Sequence, residues 1–329
     1  MDFERIERLV NSVLYEGYLL YPYRRSLKNT RRWTIGSVYP AGSAEVRGGA
    51  ERRCVRARCL VETKPNATVS GEVRLLQLIE RRTGDASHAP AECWHEAIER
   101  RIEIAPVQLQ RSAATQRQPF GYPAAHTCDV SLTESGAHQE TVRRQVAIQG
   151  QIQVTVAPLR ATVSQITVEL ANVSACAHDD DAAADDSALL QSFASAHVIL
   201  HAQHGSFVSR IDPPAALREL CPVDPGDGLW PVLIGDSPER DTMLCSPIIL
   251  YDYPELAPES PGDYFDATEI DEMLALRVMT LTPAEKLVVA ALDERGRALL
   301  DRTENLARRQ LAQLHGTTRG LRIVEESER

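Results

Sequence analysis

The residues of this chain best suited to metal or nucleophile chemistry are its seven cysteines and nine histidines, and six of them form three pairs at i, i+2. The pairs are Cys93 with His95, His126 with Cys128, and Cys176 with His178. On a strand, positions i and i+2 point to one face, so each pair offers a thiolate and an imidazole to a zinc-like ion. Nothing in the sequence brings the pairs together, and buried Cys is ordinary packing material. A metal-binding protein or metalloenzyme built on these six residues therefore stays an alternative, and no metal ligand is assigned. His197, His201 and His204 form a second group. If Val198, Ile199 and Leu200 make a strand, His197 and His201 lie roughly 13 Å apart, too far for one ion. They read as surface or edge histidines.

Other motifs carry less. Gly235, Asp236 and Ser237 look like the nucleophile block of the Gly-Asp-Ser-Leu esterases, but Pro238 follows, and His315, the one later histidine, has no Asp three residues before it. The single Asp-x-x-His, Asp85 to His88, lies upstream. A hydrolase is rejected on that ground, and no catalytic residue is assigned. Asp179, Asp180, Asp181, Asp185 and Asp186 form an acidic low-complexity stretch without the spacing of a calcium loop. Gly48 and Gly49 lack the lysine and spacing of a phosphate loop. No cofactor is implied.

The densest chemistry is aromatic and basic. Tyr15, Tyr18, Tyr21, Tyr23, Trp33 and Tyr39 gather six of the chain's seventeen aromatics within 25 residues, interleaved with Arg24, Arg25, Lys28, Arg31 and Arg32. Rigid rings beside planar guanidinium groups suit a protein interface. The same mixture could hold an anion or stack nucleotides, which makes an anion- or nucleotide-binding module a second alternative. The bland reading is that the rings tie a helix to the core while the arginines are solvated.

These residues need elements to position them. Ile6, Leu9, Val10, Val13, Leu14 and Leu20 fall on helical spacing across residues 3–21, with Pro22 ending the run. The period then changes to two. Val55, Ala57, Cys59 and Val61 alternate with polar neighbours, and residues 68–80 and 97–105 continue in extended style. Val146, Ile148, Ile152, Val154 and Val156 line one face of the clearest strand, opposite Gln149, Gln151, Gln153 and Thr155. Pro158 should break it. A second strand runs to about Asn172, and its phase shift from Val163 to Ile166 predicts a bulge. A strand over 196–202, a turn at His204 and Gly205 and a return strand over 207–211 follow. Residues 222–263, with eight prolines, should be mostly irregular, and helical signals return from Thr268. The fold expected is α+β: an antiparallel β-sandwich core with an N-terminal amphipathic helix and a C-terminal helical tail. Its parts are a helix and basic, aromatic segment at 1–30, the sandwich at 31–212, a Pro-rich segment at 213–267 and helices at 268–329.

At 329 residues, 43% hydrophobic and 25% charged, the composition is that of a globular protein. The net charge of −10 hides a gradient. Residues 1–60 carry 12 basic against 6 acidic groups, and residues 151–329 carry 14 against 29. A pI near 5.5 disfavours wholesale nucleic-acid binding. No apolar run reaches the length of a membrane span, Met1-Asp-Phe-Glu-Arg does not open like a signal peptide, and seven Cys without a CxxC pair favour reduced thiols in a cytoplasm. Thirty-three Arg beside three Lys points to a GC-rich bacterial genome.

Two stretches together resemble an uncharacterised bacterial family associated with gene clusters for uptake nickel–iron hydrogenases. One is Val13, Leu14, Tyr15, Glu16, Gly17, Tyr18, Tyr21, Pro22 and Tyr23, continuing through Lys28, Asn29, Arg32, Trp33 and Thr34 to Gly36, Tyr39 and Pro40. The other is Thr268, Glu269, Ile270, Asp271 and Glu272, continuing through Leu276 and Arg277 to Thr280, Thr282, Glu285 and Lys286. The match covers about a fifth of the chain, and its motifs carry no assigned chemistry. The resemblance implies an accessory role in assembling or stabilising such an enzyme, with a hydrogenase subunit or maturation factor as partner. The expectation is thus a non-catalytic accessory protein whose docking residues are Tyr15, Glu16, Tyr18, Tyr21, Tyr23, Arg32 and Trp33. The rings serve as anchors, and Glu16 and Arg32 fix the register.

Overall fold

The computed structural model describes residues 3–14, 36–40, 52–85, 92–109, 112–132, 138–175, 188–222, 226–254, 278–279, 281–283, 286–287, 290 and 294–305. The chain divides into two compact units, Met1–Glu255 and Leu256–Arg329. The first opens with helix α1 (Phe3–Leu14) and continues as eleven strands of one sheet. These are β1 (Cys54–Asp85), β2 (Glu92–Gln108), β3 (Ala114–Tyr122), β4 (Ala125–Leu132), β5 (His138–Gln145), β6 (Ile148–Arg160), β7 (Val163–Asn172), β8 (Phe193–Phe207), β9 (Gly226–Asp227), β10 (Trp230–Leu233) and β11 (Thr242–Ser246). Every pair of named strands is antiparallel. In the second unit the described helix is α2 (Glu294–Glu304).

The 32-residue β1 organises the sheet. Its first half pairs with β7 along one edge, and β2 follows on that edge; β8 and then β5 occupy the other. Between the halves β1 bends. Residues 64–67 stand against His204 alone, because the register passes from Thr63 opposite Gly205 to Thr68 opposite Gln203. Asn66 and His204 both take positive φ there, 62° and 55°. The alternation of apolar residues on either side of the bend makes two ladders. Val55, Leu170 and Ile152 form one rung of the first, with Ala57, Val168 and Val154 the next. Ile102, Val73, Val198 and Cys245 form a rung of the second. All these residues are buried in one cluster, so the two halves of the sheet share a core.

The structure departs from the sequence reading in several places. The turn expected at His204 and Gly205 does not form, because the deviation is absorbed by the bend in β1, and β8 runs on to Phe207. The phase change at Val163 marks a change of face: Val163 packs with Leu60, Val208 and Leu217 in a separate cluster. The bulge lies across the hairpin in β6, where Pro158 faces Ser164 and Arg160 faces Val163. Pro158 therefore does not end its strand. The Pro-rich stretch contributes β9, β10 and β11, and the sheet continues past residue 212. Pro231 fits because β10 is an end strand of the sheet, where a missing N–H costs least. Basic residues of the front also meet acidic residues of the rear: Arg56 bonds Glu169, and Arg52 lies 2.7 Å from Asp227.

Candidate partner-docking surface

The seven expected docking residues, Tyr15, Glu16, Tyr18, Tyr21, Tyr23, Arg32 and Trp33, lie outside the described residues. The chain on both sides of them is described, and it is fixed. α1 is amphipathic, and Leu9, Val10 and Val13 pack against Val232, Ile234 and Leu244 of β10, β11 and the turn between them. Its polar flank is held by Arg74 of β1, whose side chain is only 5% exposed. Arg74 donates from Nη2 and Nη1 to the two carboxylate oxygens of Glu7, at 2.6 and 2.9 Å, and from Nε to Glu72 at 2.6 Å. A bidentate guanidinium–carboxylate pair sets orientation as well as attraction. Arg101 Nη2 donates to the same Glu7 at 2.6 Å. The Arg74 hydrogen bond is the main reason the Glu7 carboxyl titrates below its ordinary range.

Both flanks end on one strand. Ser195 Oγ donates to the Val13 carbonyl at 3.1 Å, and Leu14 is fully buried. On the other side the Ala196 N–H donates to the Gly36 carbonyl at 3.1 Å, while Val38 and Phe193 exchange two backbone hydrogen bonds. The described chain on either side, at Val13 and at Gly36, is therefore held at adjacent positions of β8. Gly36 takes φ +57°, and a Cβ there would stand 2.7 Å from Pro247, so the return point suits glycine alone. Tyr39 is buried, and of the six clustered rings it follows the bland reading of a core tie.

Beside α1 lies a surface that the sequence reading did not single out. Arg210, Ile211, Trp230, Ile249, Leu250 and Tyr251 line an open groove of about 430 Å3. Ile249 and Tyr251 are 74% and 82% exposed. The Arg210 guanidinium sits 4.8 Å over the Trp230 ring, and Trp230 and Leu250 also pack against the α1 cluster. The run Ile248, Ile249, Leu250, Tyr251 was the available signal, hidden among prolines.

The Cys and His pairs are separated by the sheet. Reading across the strands, His95 of β2 faces Glu80 of β1, then Arg144 of β5, then His126 of β4. Three strand spacings put the two histidines about 14 Å apart on one face. Cys93 and Cys128 occupy the next row, at Arg82 and Val142. Cys176 and His178 lie outside the described residues. On that face Arg82 and Arg144 pair with Glu80 between the histidines, while Arg81 and Arg143 pair with Glu96 on the opposite face. Cys128 Sγ donates to Glu140 at 3.0 Å, and that contact raises its pKa. Among the described residues no group of three or more His, Cys, Asp or Glu side chains is placed to hold a metal.

Of the three histidines on β8, His201 and His204 are exposed as expected, but His197 is not. It pairs with Arg74 under α1 and is fully buried. Its Nδ1 bonds the Ser195 carbonyl at 2.9 Å, and burial pushes the imidazole down to about 4. The Gly235, Asp236 and Ser237 block forms the turn between β10 and β11, closed by the Glu239 N–H on the Asp236 carbonyl. Comparison with family models, with curated proteins and with solved structures gives no match.

Proposed function

We propose that this protein is a non-catalytic accessory protein that docks a partner protein through Tyr15, Glu16, Tyr18, Tyr21, Tyr23, Arg32 and Trp33. The observation that carries the reading is the double tether on β8: a segment rich in rings and arginines starts and returns at neighbouring residues of one buried strand. Holding both ends lowers the ordering cost that a binding segment incurs. The exposed Trp230 and Tyr251 groove, continuous with the α1 cluster, adds a second apolar surface on the same side of the sheet as the helix. In this reading the sheet is the sandwich that presents the segment, the C-terminal residues form a helical tail, and the work is done in the cytoplasm. The resemblance at both ends of the chain makes a subunit or maturation factor of a nickel–iron hydrogenase the partner class.

Affinity capture of the tagged full chain from its native bacterium, read by mass spectrometry, tests this. Hydrogenase subunits or maturation factors should be recovered, and Trp33→Ala with Tyr18→Ala should lower capture by about tenfold or more, the effect of losing an interface anchor. Unchanged capture by a folded double variant overturns the docking site. A specific partner unrelated to hydrogenases overturns the partner class.

A further inference from the structure

We propose that Cys59 and Cys245 form a redox-sensitive pair that closes to a disulfide on exposure to a peroxide. The two thiols are 186 residues apart in sequence, yet their sulfurs stand 3.8 Å apart inside the core. Cys59 lies on the half of β1 that pairs with β7, and Cys245 lies on β11, which reaches β1 only through β8. They meet because the sheet bends over on itself. Both are reduced in the structure, and the approach of about 1.8 Å needed for a bond is within reach of side-chain rotation.

The point of attack we assign to an oxidant is beside Cys59. A small cavity of about 10 Å3 is lined by Cys59 together with Arg58, Leu60 and Cys221. That is room for a molecule about the size of water, which selects the smallest two-electron oxidants over bulky disulfides. Cys59, as its thiolate, attacks one oxygen of hydrogen peroxide and breaks the O–O bond. The departing hydroxide takes up the proton that the thiol released and leaves as water, and Cys59 becomes a sulfenic acid. Cys245 Sγ then attacks Cys59 Sγ, and its proton goes with the displaced hydroxyl as a second water. Two thiols and one peroxide give one disulfide and two waters, and the sulfur pair supplies both electrons. The product staples the two halves of the sheet across their shared core.

The full-length protein is treated with hydrogen peroxide at mildly alkaline pH, denatured in N-ethylmaleimide and mapped without reduction. The expected result is a peptide containing Cys59 joined to one containing Cys245, lighter than their sum by two hydrogens. Its appearance should accompany a rise in melting temperature of about 5 °C or more. Cys59→Ser and Cys245→Ser should each abolish the linked peptide and the rise. Exposed Cys128 serves as the internal measure of oxidant delivered. The proposal is overturned if Cys59 and Cys245 are both recovered as maleimide adducts once Cys128 is fully oxidised. It is equally overturned if either links to Cys221, or if both go to sulfinic acid without joining.

Discussion

His197 is the residue whose chemistry is most at odds with its place. Its ring is fully buried, Nδ1 is satisfied by the Ser195 carbonyl, and Nε2 finds no hydrogen-bond partner among the described residues. Arg74 pairs with it across the strands, and Glu7 and Asn11 of α1 bond the same arginine. The neutral ring is thus favoured by burial and by the neighbouring positive charge. Its folded pKa of about 4 lies below the ordinary imidazole value of 6.5, so the unfolded chain takes up a proton first as the pH falls. Stability is therefore complete above about 6.5 and declines by about 1.4 kcal/mol per pH unit until about 4. Urea unfolding should show the chain about 2 kcal/mol less stable at pH 5 than at pH 7, and His197→Gln should remove most of that difference. Glu7 and Glu80 contribute with the same sign, but mainly as the pH drops toward and below their ordinary 4.5, so most of the difference between pH 7 and pH 5 belongs to the histidine. An equal loss in the variant would assign the pH dependence elsewhere. Alternation along β8 shows that His197 and His201 share a face, but not that α1 covers only the first of them. That is a fact about tertiary packing, and it explains why this residue reads as a surface histidine.

Among the elements, β1 and β8 approach so closely at Gly71 that a Cβ there would fall 2.0 Å from the Ile199 carbonyl oxygen. The clash is with backbone, which cannot swing aside. Gly71→Ala should lower stability by about 3 kcal/mol in denaturant titrations, whereas Gly121→Ala, whose nearest neighbour is the Ile148 carbonyl at 3.2 Å, should change it by less than about 1 kcal/mol. Equal effects would mean that the two strands can part at little cost. What the sequence reveals about such elements follows from how many faces of each strand are wet. β6 and β7 bury one face and keep the other polar, so their alternation is legible from Ile148 to Leu170. β8 buries both faces from Phe193 to Val198, which erases the alternation there and leaves its length undecided. β11 is buried throughout and too short to show a period, and the prolines around it point toward a loop. The segment proposed for docking is legible only as composition. Its tethers on β8, and the groove at Trp230, depend on strands more than 150 residues further along the chain.

At the scale of the molecule, the three described apolar clusters all fall within the first unit, and so do the pairs that join the basic front to the acidic rear. Residues 1–255 therefore hold all the contacts of these three clusters. A chain ending at Glu255 should remain folded, with the β-type circular dichroism of the whole protein and a single cooperative unfolding transition. Loss of cooperativity in that fragment would show that the second unit is needed to hold the sheet. The strand that organises this unit also sets the order in which it can be made. β2 follows β1 closely and can cover the second half of one edge at once. The first half of that edge waits for β7, and most of the other edge waits for β8, more than a hundred residues later. At 5–20 residues per second a ribosome takes roughly 5 to 20 s to deliver that partner, and all the while a long apolar strand lies half uncovered. The nascent chain is thus a natural client for a chaperone that shields β1, and yield in the cell should depend on translation speed between β2 and β8 more than on the stability of the finished fold.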